Sequence, residues 1–221
     1  MNPSSKLARL WQRVTSRSSP PETIATPIVP TAEEIYDASE GSELRQSEII
    51  TGLIQLVTDL DSIKSGSKLI VNSIEHPYVI VVSEDCDLTQ DFDARRKNQL
   101  TSDKIMPSVL FCQVTTAKEL RGPAGEGMNK DLWSKVKINK DERYQFLEKV
   151  PPASNALGEG LPELGIDFKR HFSLPTEEAY YRIATDAKRR CRLRSPYLEH
   201  FSTRFAYFLS RVALPADHRS D

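Results

Sequence analysis

Cysteine is scarce in this chain and forms no recognisable pairing pattern. The three cysteines, Cys86, Cys112 and Cys191, stand at wide and irregular spacing in 221 residues. An odd number at such spacing fits neither a disulfide framework nor a Cys-x-x-Cys zinc site. A chain of this length also builds its core without disulfide support. The composition therefore predicts a protein of a reducing compartment, and we expect a cytoplasmic location.

Net charge and long apolar runs are lacking as well. Lysine and arginine number 30 against 31 acidic residues, so the formal charge is −1. The chain as a whole therefore has no charge that attracts nucleic acid or anionic lipid. No window approaches the roughly 18 consecutive apolar residues of a membrane span. We expect no membrane partner, and any binding of nucleic acid has to come from a local basic patch.

The N-terminal part of the chain predicts a leader rather than a folded domain. Residues 16–34 contain four prolines among serines and threonines, a composition that buries little apolar surface. Ahead of them lies a short amphipathic pattern, interpreted either as a frayed terminus or as a docking peptide. Its apolar residues are Leu7, Leu10, Trp11 and Val14. We assign residues 1–34 to the leader, 35–194 to the folded body and 195–215 to a C-terminal helix.

The clearest strand follows Pro77. Residues 78–82 form an unbroken apolar run, which predicts a strand that is buried on both faces. Shorter strand patterns precede and follow it, with few helical patterns between them. This spacing predicts an α+β fold built on a small, mostly antiparallel β-barrel. Ser195 and Pro196 then begin a helix that we expect to close the barrel. Aromatic and aliphatic residues repeat along it at helical spacing, namely Tyr197, Phe201, Phe205, Phe208 and Val212.

Acidic residues and one thiol follow the central strand directly, in a segment that we interpret as a turn. Asp85, Cys86 and Asp87 are the candidate catalytic residues of this turn. Carboxylate oxygens suit hard divalent cations, and a thiolate shifts the preference toward zinc or iron. The spacing is not that of a calcium-binding EF-hand loop and shows no zinc-ligand pattern, so the metal and any cofactor stay unidentified.

Three interpretations of this turn stay open. The first is structural, with the acids neutralised by the bases of residues 95–97 and Cys86 buried as a small apolar side chain. The second is a metal site. The third is a reactive thiol whose pKa is lowered by His76 or His171, if the fold brings either histidine close.

A second candidate site is a basic stretch near the C-terminus. Residues 182–194 contain six bases and a single acid, and tyrosines flank them. Positive charge beside aromatic side chains is typical of surfaces that bind single-stranded nucleic acid. The candidate binding residues are Lys188, Arg189, Arg190, Arg192 and Arg194. The alternative is a solvated strand or turn whose arginines pair with acidic loops.

Several segments, taken in order, resemble a group of uncharacterised bacterial proteins. The segments are residues 44–50, 76–82, the Ser-x-Asp-Cys-Asp turn at 83–87, residues 167–170 and the helix that ends at Pro215. More remotely, two of the strands are similar to the PemK/MazF family, which has an SH3-like barrel and includes toxins that cut RNA. This chain has Ser47-Glu48-Ile49 where that family opens with a Gly-Asp-Ile-like step. The resemblance implies an SH3-like barrel and a bacterial origin, and it leaves catalysis open.

Together, these observations predict a non-enzymatic bacterial accessory or regulatory protein. We expect it to bind a partner protein or nucleic acid, and the resemblance implies a toxin or phage-defence type of module. The alternative is a metal- or thiol-assisted hydrolase, such as an endoribonuclease. In that case Asp85, Cys86 and Asp87 would carry the reaction, and the bases near residues 189–194 would hold the substrate.

Overall fold

A seven-stranded antiparallel sheet forms the centre of the molecule. The computed structural model describes residues 31–64, 66, 68–101, 103–123 and 127–211. The proposed amphipathic segment at residues 7–14 lies outside this range. The strands lie in the order β1-β7-β2-β3-β4-β6-β5, and every neighbouring pair is antiparallel. They are β1 (Tyr36–Ala38), β2 (Glu48–Thr58), β3 (Val71–Val81), β4 (Ser108–Thr116), β5 (Tyr144–Leu147), β6 (Leu164–Pro175) and β7 (Lys188–Leu193).

Helices connect the strands and cover the sheet. They are α1 (Ala32–Ile35), α2 (Leu60–Lys64), α3 (Asp85–Arg96), α4 (Ala117–Arg121), α5 (Lys130–Lys137), α6 (Thr176–Thr185) and α7 (Tyr197–Ser210), with a short 3-10 helix at Pro152–Ser154. In the part of the chain that is described, none of these helices combines the length and apolarity that a membrane span needs.

Two hydrophobic cores lie on opposite faces of the sheet. Side chains alternate along β3, so that Ile80 enters one core while Val79 and Val81 enter the other. The first core includes the phenylalanines of α7, and the second includes Leu88 of α3 and Ala179 of α6. Helices on both faces therefore explain why residues 78–82 are continuously apolar, and this strand lies at the centre of the sheet as predicted.

The predicted SH3-like barrel is wrong, because the sheet is open. Its two edges are β1 and β5, and no backbone ladder joins them among the described residues. The edges do come within side-chain reach, since the Tyr36 hydroxyl donates to the Glu148 carbonyl at 2.8 Å. The spacing of short strands suggested closure, but helices α3, α6 and α7 bury the sheet faces instead. The α+β class is retained, with an antiparallel sheet between helical layers.

Strand β3 is longer than the sequence suggests. The pattern of residues 68–74 is typical of a short strand of its own, ahead of Pro77 and of the strand predicted at 78–82. The structure has instead one strand, Val71–Val81, that contains the proline. Strand β4 pairs with β3 only at residues 78–81, so Pro77 faces no partner strand on that side. A proline lacks the N–H that a ladder needs, and it is tolerated where a strand edge is free. The first half of β3 therefore pairs with β2 alone.

Candidate functional site

The segment predicted as an acidic turn is the first turn of a helix. Ser83 follows β3, and its Oγ accepts a hydrogen bond from the Leu110 amide of β4 at 2.9 Å. Helix α3 then begins at Asp85, so the acids spread around a helix instead of converging at a corner. Because acidic side chains near a helix N-terminus interact favourably with its dipole, Asp85 and Asp87 stabilise this helix start.

Asp85 binds the segment that precedes β2 through hydrogen bonds to Arg45 and Gln46. Its carboxylate accepts both a hydrogen bond from Arg45 Nε at 2.7 Å and a second one from Arg45 Nη2, which makes the pair bidentate. The Gln46 amide donates to the same carboxylate at 3.0 Å. The hydrogen bonds from Arg45 are the main reason that the pKa of Asp85 lies below its ordinary value. Asp85 is therefore an ionised positioning group at neutral pH, and it is poorly suited to proton transfer.

Cys86 is exposed, not buried as the structural interpretation of this turn assumed. Its thiol donates to Asp87 Oδ1 at 3.9 Å. Although a helix N-terminus usually lowers the pKa of a cysteine, here partial desolvation and the negative charges of Glu84 and Asp87 raise the pKa of the Cys86 thiol. The fraction of reactive thiolate at neutral pH is therefore small.

The two histidines considered as partners of Cys86 make their contacts elsewhere. His76 is buried between Gln55 and Gln113, with ring nitrogens at 3.0 and 3.2 Å from their side chains, and it stacks on Phe172. His171 lies 2.8 Å from the Phe168 carbonyl and packs edge-on against Phe205. Neither ring is thus placed to accept a proton from the thiol.

We predict that Cys86 reacts slowly with iodoacetamide. At neutral pH its rate in the native protein should fall below that of a free cysteine, because the thiolate is the nucleophile and the pKa of this thiol is raised. Mass spectrometry of partly alkylated protein measures the rate, and a Cys86→Ser variant shows the background, since Cys112 and Cys191 are buried. A rate above that of free cysteine would restore the reactive-thiol interpretation.

The other acids of α3 pair with bases of the same helix. Asp91 is buried, accepts hydrogen bonds from Arg95 Nε at 2.9 and 3.0 Å, and also accepts one from the Met106 amide. Asp93 pairs with Arg96 at 3.3 Å. Within the residues that the structure describes, no three His, Cys, Asp or Glu side chains are grouped as metal ligands. This arrangement matches the neutralised acids of the structural interpretation, except that Cys86 is exposed.

Four of the five predicted nucleic-acid-binding residues lie on β7 and Arg194 follows it directly, and most of the five are paired with acids. Arg189 binds the buried carboxylate of Glu48 at 2.6 Å. Arg190 donates to Asn155 at 3.1 Å and to Glu159 at 3.3 Å. Arg192 and Arg194 both reach Asp37, at 4.0 and 3.4 Å. Lys188, at the start of the strand, is exposed. The cations of this stretch are largely neutralised by neighbouring acids.

The two predicted sites are neighbours at one end of the sheet. Arg45, which holds Asp85, lines a cleft of about 500 Å³ together with Arg189 and Arg192. We call it the edge cleft. Four carboxylates line it as well, those of Asp37, Glu40, Glu43 and Glu48. Three cations against four anions give the edge cleft no net positive charge, so it lacks the field that attracts a phosphate.

A second cleft, of about 640 Å³, lies between α4 and α5. Gly165 of β6 lets α4 approach the sheet, since a Cβ at that position would lie 2.2 Å from Leu120 Cδ2. Gly122 ends α4 with a φ of +73°, a conformation that favours glycine. The Asn129 side chain then caps α5 by accepting from the Leu132 amide at 2.8 Å. These local features place the two short helices side by side.

The lining of this α4–α5 cleft is strongly basic and contains one indole. Its ionisable residues are Lys118, Arg121, Lys130, Lys137 and a single acid, Glu163. No ion pair involves any of the four cations among the described residues, in contrast to those of β7. Trp133 is half-buried, with the Arg121 guanidinium 5.8 Å from its ring centre and Phe146 edge-on at 6.2 Å.

Sequence reasoning missed this cleft, although a signal was present. The polar, glycine-containing composition of residues 122–140 favours a surface excursion with a helical turn near 131–136, and α5 occupies Lys130–Lys137. Lys130, Trp133 and Lys137 recur at i, i+3 and i+7, a spacing that places them on one side of a helix. Lys118 and Arg121 repeat at i, i+3 on α4. Only the fold shows that these two faces share a cleft.

Comparisons of the chain with family models, with curated proteins and with solved structures give no match. The geometry of the two clefts is therefore the basis on which a function is assigned.

Proposed function

We propose that this protein is a nucleic-acid-binding accessory protein that holds a single-stranded segment in the α4–α5 cleft. The observation that carries the proposal is the unpaired charge of that cleft. Four cations surround one carboxylate, that of Glu163, and none of the four forms an ion pair with it or with another described acid. Phosphates bound there would release condensed counterions, which is the main source of affinity for nucleic acid.

Trp133 favours a single strand over a duplex. Bases of a single strand are free to stack on aromatic side chains, and each such contact contributes about 1–3 kcal/mol. The indole lies in the same cleft as the cations, so a backbone held by the lysines would bring a base toward it. Stacking does not depend on base identity, and we therefore expect weak sequence preference.

The hydrolase alternative gains no support from the positions of its residues. Asp85 is bound to Arg45, Cys86 has a raised pKa, and the basic stretch of β7 is paired with acids. The bacterial toxin or defence context remains part of the proposal on the strength of the resemblance. Under this proposal the protein binds a nucleic acid, or holds it for a partner, and does not cleave it.

The proposal predicts a salt-dependent affinity for single strands that the α4–α5 cleft controls. Fluorescence anisotropy of a labelled oligouridylate or oligothymidylate, titrated with the full chain at several salt concentrations, measures it. With four cations engaged at most, log affinity should fall against log salt with a slope no steeper than about −3. The double substitution Lys130→Ala and Lys137→Ala should weaken binding at least about tenfold and flatten the slope by about 1.4.

The matched control removes two exposed lysines elsewhere, through Lys149→Ala and Lys169→Ala. It changes the net charge equally and should alter the affinity less than about twofold, because long-range attraction is screened by salt. Equal losses in both double variants, an affinity that ignores salt, or no binding at low salt would contradict the proposal. Quenching of Trp133 in a Trp11→Phe variant tests the stacking separately.

A further inference from the structure

The long hairpin of β2 and β3 extends beyond the rest of the sheet. Strand β7 pairs with β2 only as far as Thr51, and β4 pairs with β3 only from Tyr78. From Leu53 to Thr58, β3 is the only strand of the described residues that pairs with β2. We call residues 53–64 and 68–76 the apolar arm. An isolated two-stranded ribbon is only marginally stable in water, so an arm of this kind gains from a covering partner.

The surface of the arm is apolar to an unusual degree. Eight large aliphatic side chains between Leu56 and Ile74 are exposed, with exposed fractions of 37% to 67%. Together they present on the order of 700 Å² of surface, against roughly 300–600 Å² for the largest apolar patch of a typical monomer. A standard interface takes about 800 Å² from each partner. The arm therefore exposes nearly as much apolar area as one side of a stable interface buries, and pairing along β2 covers the share that β2 contributes, including Leu56 and Val57.

The outer edge of β2 is unprotected. Residues 53–58 read Leu-Ile-Gln-Leu-Val-Thr, with no charge, proline or glycine. Free edges normally carry a charge, a proline or a bulge that blocks further pairing. The outer edge of β3 has two such features, Glu75 and Pro77. Of the two edges of the arm, that of β2 is therefore the one open to another strand.

We infer that the apolar arm binds the same arm of a second copy of this chain, edge to edge along β2. Two identical edges related by a two-fold axis pair antiparallel, so each copy makes the same contacts and the sheet continues into its partner. The net charge of the arm is consistent with self-association. Its three acids, Asp59, Asp61 and Glu75, nearly balance its two bases, Lys64 and Lys68. Two arms therefore do not repel each other, and the arm has no net charge that would attract a strongly charged partner.

The test is the association state of the full chain. Sedimentation equilibrium across the micromolar range should show a dimer, and Leu56→Lys should weaken the dimer at least about a hundredfold, because it places a charge in the middle of the paired edge. The matched control is Leu157→Lys. Leu157 is a loop leucine outside the arm, 48% exposed against 46% for Leu56, and its substitution should leave the dimer intact. Circular dichroism verifies that both variants are folded.

Hydrogen exchange of the unmodified chain gives a second readout. The amides of residues 53–58 that do not bond to β3 should exchange more slowly as protein concentration rises. A chain that remains monomeric, or a dimer that persists in Leu56→Lys, overturns the inference. In a monomer, protection of these outward-facing amides at every concentration would indicate that another part of the same chain covers the edge.

Discussion

Replacing Arg189 by methionine is expected to lower the free energy of unfolding by about 3–5 kcal/mol, since it leaves a buried carboxylate without its partner. Glu48 is fully buried and accepts hydrogen bonds from Arg189 Nε at 2.6 Å and from Nη2 at 3.0 Å. The same guanidinium donates to the carbonyls of Glu40, Gly41 and Glu43. Its loss therefore also frees the loop between β1 and β2. Urea unfolding monitored by circular dichroism measures the change.

Arg192→Met is the matched control, on the same strand and with the same change of side chain. Arg192 is 35% exposed and approaches Asp37 only at 4.0 Å. An exposed ion pair of this kind contributes less than about 1 kcal/mol. If the two variants were equally stable, the pair between Arg189 and Glu48 would not be a structural contact, and Arg189 would again be available for a ligand.

This contrast shows why a basic stretch of sequence does not by itself identify a binding surface. Charge density along the chain predicts attraction to phosphate only if the charges stay free in the fold. Glu48 lies about 140 residues before Arg189, and nothing in local spacing shows that β2 and β7 are neighbours in the sheet. The cations of the α4–α5 cleft are more dispersed in sequence, yet the fold gathers four of them around a single described acid, Glu163.

The central strand could be predicted because an unbroken run of apolar residues indicates that it is buried. Continuous apolar character from Tyr78 to Val82 requires cover on both faces, whatever supplies it. This run does not indicate which elements cover the two faces of the strand. Short strands with few helical patterns between them favour a sheet that closes into a barrel. In the structure, helices on both faces of an open sheet provide the same burial.

Helix α3 was missed because its sequence has little helical periodicity. Its buried residues are Leu88, Asp91 and Ala94, and one of these is a carboxylate that a hydrophobic pattern counts as solvent-facing. Asp91 is satisfied by Arg95 and by the Met106 amide, and Asp85 by Arg45. Two of these partners lie outside the helix. Long-range polar contacts thus help to fix this helix, and a local pattern does not record them.

The C-terminal helix α7, in contrast to α3, has buried residues that repeat at helical spacing. One aromatic ring of the sheet contacts all three of them. Phe168 of β6 is fully buried, and its ring centre lies 6.1, 5.8 and 5.9 Å from those of Phe201, Phe205 and Phe208. Three successive turns of α7 therefore pack on one side chain. Aromatic pairs at such distances contribute beyond the area that they bury.

Phe168→Ala is therefore expected to lower the free energy of unfolding by about 3–5 kcal/mol, because it opens a cavity beneath α7. Phe92→Ala, on α3 and half-buried against Tyr180 at 5.9 Å, should cost only about 1–2 kcal/mol. Hydrogen exchange separates local from global effects. The amides of α7 should lose protection in Phe168→Ala and keep it in Phe92→Ala, because α3 packs on the second core whereas α7 packs on the first, on the opposite face of the sheet. If α7 remained protected without the Phe168 ring, other contacts of the first core would hold the helix on the sheet, and the aromatic stripe would not be what anchors it.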